Sequence, residues 1–147
     1  MLSRHHPLGC RKAQGKRLYY AVAYEGGWIG ALLFDGAVLK NKLRAAEIGW
    51  NAEQERARRE HVCNNSRFLI CPDYKGVKNL ASKVLGLVAK RISSDWLRRY
   101  GIPLLAIETY VDPEWNDNQG SCYLAAGWKQ LGFSSGFENP EIGRAHV

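Results

Sequence analysis

The sequence predicts an α/β fold, a single domain with a mixed central sheet flanked by helices. Three observations carry that prediction. The run Asn64 to Gly86, followed by Ile107 to Asp112 and Gly120 to Phe133, reads as strand, tight loop, helix, strand, helix. The run Leu18 to Phe34 reads as a β-hairpin at the start of the same sheet. At 147 residues the chain is long enough for one core and asks for no second domain. The order places a loop at a helix N-terminus between two buried strands, which is where an open α/β sheet binds ligands.

Each element has a local reason. In the hairpin, LYYAVAY (Leu18 to Tyr24) and WIGALLF (Trp28 to Phe34) flank Glu25-Gly26-Gly27, whose glycines tolerate positive φ. Asp35 to Trp50 shows no regular period and reads as a connection with at most one short strand or turn. Asn51 to Val62 reads as a helix, with Asn51 as cap, Glu53 and Glu55 in the first turn and Arg58 and Arg59 later. It is polar almost all round, so it belongs at the surface or against a partner. SRFLICP is a strand that stops at Pro72, which cannot donate to a ladder. From Leu80, apolar residues recur at Val84, Leu87, Val88 and Ile92, with Lys83, Lys90, Arg91, Arg98 and Arg99 on the other face. Asn79 or Ser82 would cap this amphipathic helix, and Gly101 and Pro103 would close it. Leu104 to Asp112 is a strand, Asn116 to Gly120 a turn, and Ser121 to Leu131 the last helix. Residues 1–17 form a basic N-terminal segment, 18–140 the domain, and 141–147 a tail without a secondary-structure signal.

Composition excludes some classes of function. A hydrophobic fraction of 46% argues against disorder, and the apolar runs are far shorter than the ~20 residues that span a bilayer. The N-terminal segment lacks an apolar core of signal-peptide type, and the four cysteines are scattered, so the expectation is a reduced, cytoplasmic protein with no membrane contact. Net charge is +7, divided as +5 over residues 1–50, +6 over 51–100 and −4 over 101–147. A field of that kind attracts phosphates, of a nucleic acid or of a nucleotide-like cofactor. A solvated basic helix face is the plainer reading of the same residues.

Several separated motifs, in order, resemble a known family: IGW at Ile48, NNSRFLI at Asn64, NLASKVLGL at Asn79, DW at Asp95, RYG at Arg99, ETYVD at Glu108 and GSCYLAAGW at Gly120. They resemble the DruA-like family, named for a component of the Druantia anti-phage system, whose members occur in mobile elements and defence islands. The match covers roughly residues 18–137, and the chain looks shorter at its N-terminus than typical members. The same segments are similar, more distantly, to the GNAT acetyltransferase fold. That resemblance implies an acetyl-CoA or other acyl-CoA cofactor, with the pyrophosphate on backbone N–H groups of Lys75, Gly76, Val77, Lys78 and Asn79. The helix end favours an anion and the two lysines add charge. An ordinary strand-to-helix loop is the alternative. The resemblance also places Gly132-Phe133 at the end of the last motif, Tyr123 where an acid for the departing thiolate sits, and Glu108 where a base could be held or activated. A packed tyrosine with a satisfied hydroxyl is the plainer reading of Tyr123.

Other chemistry is less well supported. Glu108 and Asp112 would share a strand face as a metal-dependent nuclease requires, but no third acid joins them. Cys122 lies near a helix N-terminus that could lower its pKa, yet a buried structural thiol is expected. His61, Cys63 and Cys71 match no zinc spacing, so no metal is expected. Asn64, Asn65 and Arg67 either organise a turn or line an anion site. Three functions therefore follow. A defence or mobile-element accessory would contact nucleic acid through Arg67, Lys75, Lys78, Lys83, Lys90, Arg91, Arg98 and Arg99. An acyltransferase would use the Lys75 to Asn79 loop and Tyr123. A catalytically inert module would bind a partner protein or a second copy as a homodimer.

Overall fold

A computed structural model of the chain describes residues 15–111, 119–133 and 140–144. A hairpin of β1 (Arg17–Tyr24) and β2 (Gly27–Gly36) is followed by helices α1 (Lys42–Ile48) and α2 (Ala52–Arg58) and strand β3 (Val62–Ile70). Helix α3 (Leu80–Tyr100), strand β4 (Ala106–Tyr110), helix α4 (Gln119–Ala125) and strands β5 (Lys129–Phe133) and β6 (Pro140–Arg144) complete it. The six strands form one sheet in the order β1-β2-β3-β4-β6-β5. Only β3 and β4 run parallel, so the sheet is mixed as the sequence predicts.

The hairpin turns on Glu25 and Gly26, at φ 48° and 83°, the paired left-handed conformations that match strand twist. Along α3 the residues Leu80, Val84, Leu85, Val88, Ile92 and Trp96 are buried, at the helical spacing of three and four. They pack on Leu32, Phe34, Cys63 and Ile107 from the sheet. Burying each large side chain stabilises the fold by about 1.5–3 kcal/mol. On the opposite face a smaller core of Trp50, Val62 and Ala106 lies against Ala45 and Ile48 of α1.

Five expectations are corrected. The segment read as an irregular connection contains α1, capped by Asn41, whose Oδ1 accepts from the Arg44 N–H at 3.0 Å, and ended by Gly49. Helix α2 forms with its Asn51 cap and is polar, but Glu55 turns inward and is buried. Asn79 occupies the N-cap of α3 at φ 63° and makes no side-chain cap; instead the Ser82 hydroxyl donates to the Asn79 carbonyl at 3.1 Å. The last helix stops at Ala125 rather than Leu131, because Gly127 takes φ 92° and the Trp128 N–H turns back to the Tyr123 carbonyl at 3.0 Å. Gly132 and Phe133 consequently lie in β5 and not at the helix end. Finally, Pro140–Arg144 pairs with both β4 and β5, so the segment read as tail supplies an inner strand. Residues 1–14, 112–118, 134–139 and 145–147 lie outside the described residues, and with them most of the turn expected at Asn116 to Gly120.

Candidate functional site

Strands β3 and β4 share only three paired positions, Val62, Cys63 and Asn64 with Ala106, Ile107 and Glu108. Beyond them β3 continues to Ile70 with no further described pair on β4. Its pairing with β2 slips by one residue at Ser66, a bulge that bends β3 away and opens a wedge. Asn65, buried at the mouth of the wedge, ties three elements together. Its Nδ2 donates to the carbonyls of Leu33 and Arg67, each at 3.0 Å, and its carbonyl accepts from the Thr109 hydroxyl at 2.8 Å. The Tyr123 hydroxyl of α4 donates to its Oδ1.

Tyr123, on α4, is packed between Phe68 and Trp128 with ring centroids 6.3 and 4.9 Å away. Burial raises its pKa above the ordinary phenol value, so it is a protonated donor at neutral pH.

The loop after β3 lies at the open end of the wedge. Pro72–Tyr74 make one tight turn, and the N–H groups of Tyr74, Lys75, Val77 and Leu80 close successive turns on Cys71, Pro72, Tyr74 and Val77. Those of Gly76, Lys78 and Asn79 take no part in these turns. Lys75, Gly76, Val77, Lys78 and Asn79 are all exposed, and a Cβ added at Gly76 would meet nothing within 4 Å. The surface of the loop is open to a ligand, although Gly76 is not required by the loop itself.

Glu108 has a different setting. Arg44 of α1 is 3% exposed and holds two carboxylates, Glu108 at 2.7 Å and Glu55 of α2 at 2.9 Å. The Tyr110 hydroxyl donates to Glu108 at 3.2 Å, and Asn41 donates to Tyr110 and, through its backbone N–H, to Glu55. Burial raises the Glu108 pKa, and Arg44 opposes that rise. Next to this network Asp35, half-buried on β2, accepts from the Asn64 amide at 3.4 Å, and burial raises its pKa as well. Asp35, Arg44 and Glu55 escaped the sequence reading. Only the Asn41 and Asn51 caps, which fix the two short helices carrying Arg44 and Glu55, could have hinted at them.

The cations divide. Lys83, Lys90, Arg91, Arg98 and Arg99 are exposed along α3. Arg67 stands opposite Leu33, whose neighbours Leu32 and Phe34 face α3, so Arg67 lies on the other face of the sheet. Lys75 and Lys78 sit at the loop. The eight basic residues do not make one surface. Burial pushes the Cys122 thiol up to about 11, in keeping with a structural thiol. His61 meets the Pro103 carbonyl at 2.7 Å, and among the described residues no three His, Cys, Asp or Glu side chains are placed to hold a metal ion. Nor is any described helix long and apolar enough to cross a membrane.

This arrangement of sheet, wedge and loop is a GNAT-like α/β fold. Solved acetyltransferases superpose on it. The aminoglycoside acetyltransferase AAC(6')-Ib in complex with ribostamycin and coenzyme A aligns with TM-score 0.59 and 16% identity, over 90% of this chain and 65% of that one. The PaiA N-acetyltransferase of Thermoplasma acidophilum, with coenzyme A, aligns at 0.54 and 16%, over 88% and 61%. Campylobacter jejuni PseH, with acetyl coenzyme A, aligns at 0.55 and 13%, over 89% and 69%. The chain therefore spans less than two thirds of the length of AAC(6')-Ib and PaiA, and identities this low establish the fold alone. No curated protein matches the sequence. Within the class, the chain belongs to the DruA family, Druantia protein DruA, which it matches over residues 1–143.

Proposed function

We propose that the chain binds an acyl-coenzyme A, its pyrophosphate on the Lys75–Asn79 loop and its thioester arm in the wedge, and passes the acyl group to an amine. The parting of β3 from β4 carries this reading. The described pairing of β4 with β3 ends at Asn64, and an amide-bearing ligand could extend the ladder from there. The unused N–H groups at Gly76, Lys78 and Asn79, with the two lysines, suit a pyrophosphate. A bound acyl-CoA supplies an activated thioester. Tyr123, held protonated by burial and oriented by Asn65, is the acid for the departing sulfur. Glu108 is engaged with Arg44 and Tyr110 and acts as a positioning residue. Asp35, bonded to Asn64 at the last β3–β4 pair, accepts the proton of the amine.

Thermal unfolding with and without coenzyme A tests the reading. A ligand at 100 times its Kd stabilises the folded state by about 2.7 kcal/mol, a shift of several degrees. Lys75→Glu with Lys78→Glu removes the shift, whereas Tyr123→Phe keeps it and loses acyl transfer. Absence of a shift at millimolar coenzyme A contradicts the proposal.

A further inference from the structure

Strand β1 forms one edge of the described sheet, and a groove of about 460 Å³ runs between it and α3. Its walls are Tyr19 and Ala21 on the strand and Arg91, Asp95, Arg98 and Arg99 on the helix. The direction of the strand edge can be read from Arg17. Its N–H donates to the Tyr100 hydroxyl at 2.6 Å and its carbonyl accepts from that hydroxyl at 2.7 Å, so both backbone groups point away from β2. In an antiparallel pair this orientation repeats every second residue. Tyr19 and Ala21 therefore present N–H and C=O outward into the groove. Among the described residues nothing pairs with them.

The helix side is cationic. Asp95 is taken up internally: it accepts from the Tyr20 hydroxyl at 2.6 Å and from Arg91 Nε at 2.9 Å. Arg98 reaches it only at 3.9 Å, and Arg99 rests over the Tyr100 ring, its guanidinium 5.8 Å from the centroid. Three guanidinium groups against one carboxylate leave an excess positive charge beside an unpaired backbone ladder. Helix α3 runs antiparallel to β1, since Tyr100 meets Arg17 and Asp95 meets Tyr20.

We infer that the β1 edge takes up an extended acidic peptide segment of a partner protein as an added strand, with its carboxylates facing Arg91, Arg98 and Arg99. A polypeptide satisfies both halves of the groove. A nucleic acid would meet the arginines but leave the Tyr19 and Ala21 ladder unfilled. A second copy paired through β1 would bring two sets of these arginines together, and β1 itself contains no acid to offset them.

The test is fluorescence anisotropy with a labelled peptide of alternating Glu and Thr, about ten residues long as a strand would be, against its Lys-Thr counterpart and a short DNA duplex. The Glu-Thr peptide binds, its counterpart does not, and Arg91→Glu with Arg98→Glu weakens binding by about tenfold or more. Ala21→Pro weakens it comparably, because it deletes an outward N–H without touching the β1–β2 ladder. Hydrogen exchange of the unaltered protein, which does not depend on the variant folding, slows at Tyr19 and Ala21 on adding the peptide. DNA binding that is lost on charge reversal but indifferent to Ala21→Pro overturns the proposal in favour of a polyanion patch. A β1-paired dimer that the peptide does not dissociate, or no binding of the Glu-Thr peptide, overturns it outright.

Discussion

Arginine and carboxylate meet in two regions of this molecule, with opposite consequences. Under α1 and α2, Arg44 is sealed between Glu55 and Glu108, and all three side chains are at most 9% exposed. On α3, Arg91 and Arg98 flank Asp95 with side chains 66% and 78% exposed. A buried charge that loses its partner cannot be rescued by water, so the first cluster fixes two short helices to the sheet and is closed to ligands. An exposed arginine keeps its water and exchanges partners at little cost, so the second is free to recruit one. Charge counted along the sequence does not distinguish the two; burial does.

The comparison breaks first at Arg44. Arg44→Met leaves two buried carboxylates facing each other, and chemical denaturation should show a loss of about 3–5 kcal/mol. The triple replacement Arg44→Met, Glu55→Leu, Glu108→Leu should recover much of that, because the desolvation penalty goes with the charges. A triple variant as unstable as the single one would show that the network itself, and not its neutrality, holds α1 and α2. At the wedge, Tyr123→Phe leaves the Asn65 Oδ1 without its described donor and should cost about 1–3 kcal/mol.

A smaller effect sharpens the other side. Burial acts to raise the Asp95 pKa, but the Tyr20 hydroxyl and Arg91 outweigh it and hold the carboxyl below its ordinary value. A carboxyl depressed by folding contributes stability above its unfolded pKa and loses it as pH falls through the folded one. Urea midpoints of the parent and Asp95→Asn should therefore differ at neutral pH and converge below about pH 4, the ordinary carboxylate range. Persistence of the difference in acid would refute the assignment. The smallest change is expected for Arg98→Ala, within about 0.5 kcal/mol in stability, as for most exposed sites.

Legibility in the sequence followed the range of the forces. The hairpin, the end of β3 before Pro72 and the 21-residue α3 each carry their signal within a few residues, and all three were readable. Helix α1 has seven residues, too few for a period to emerge, and its marks are a cap at Asn41 and a stop at Gly49. Strand β6 exists because β4 and β5 lie on either side of it, a fact of pairing at a distance. Tyr123 and the loop are singled out by resemblance, whereas the bond from Tyr123 to Asn65 joins residues 58 positions apart and leaves no local mark. The triad joins Arg44 to residues 11 and 64 positions away, beyond any local pattern.

If the loop after β3 holds the pyrophosphate of an acyl-CoA, as we propose, coenzyme A changes amide hydrogen exchange at Gly76, Lys78 and Asn79. Exchange is then slower at these amides and along β3 beyond Asn64, with the Tyr19 and Ala21 edge unchanged. Unaltered exchange in the loop at saturating coenzyme A, or protection confined to the arginines' groove, would contradict it.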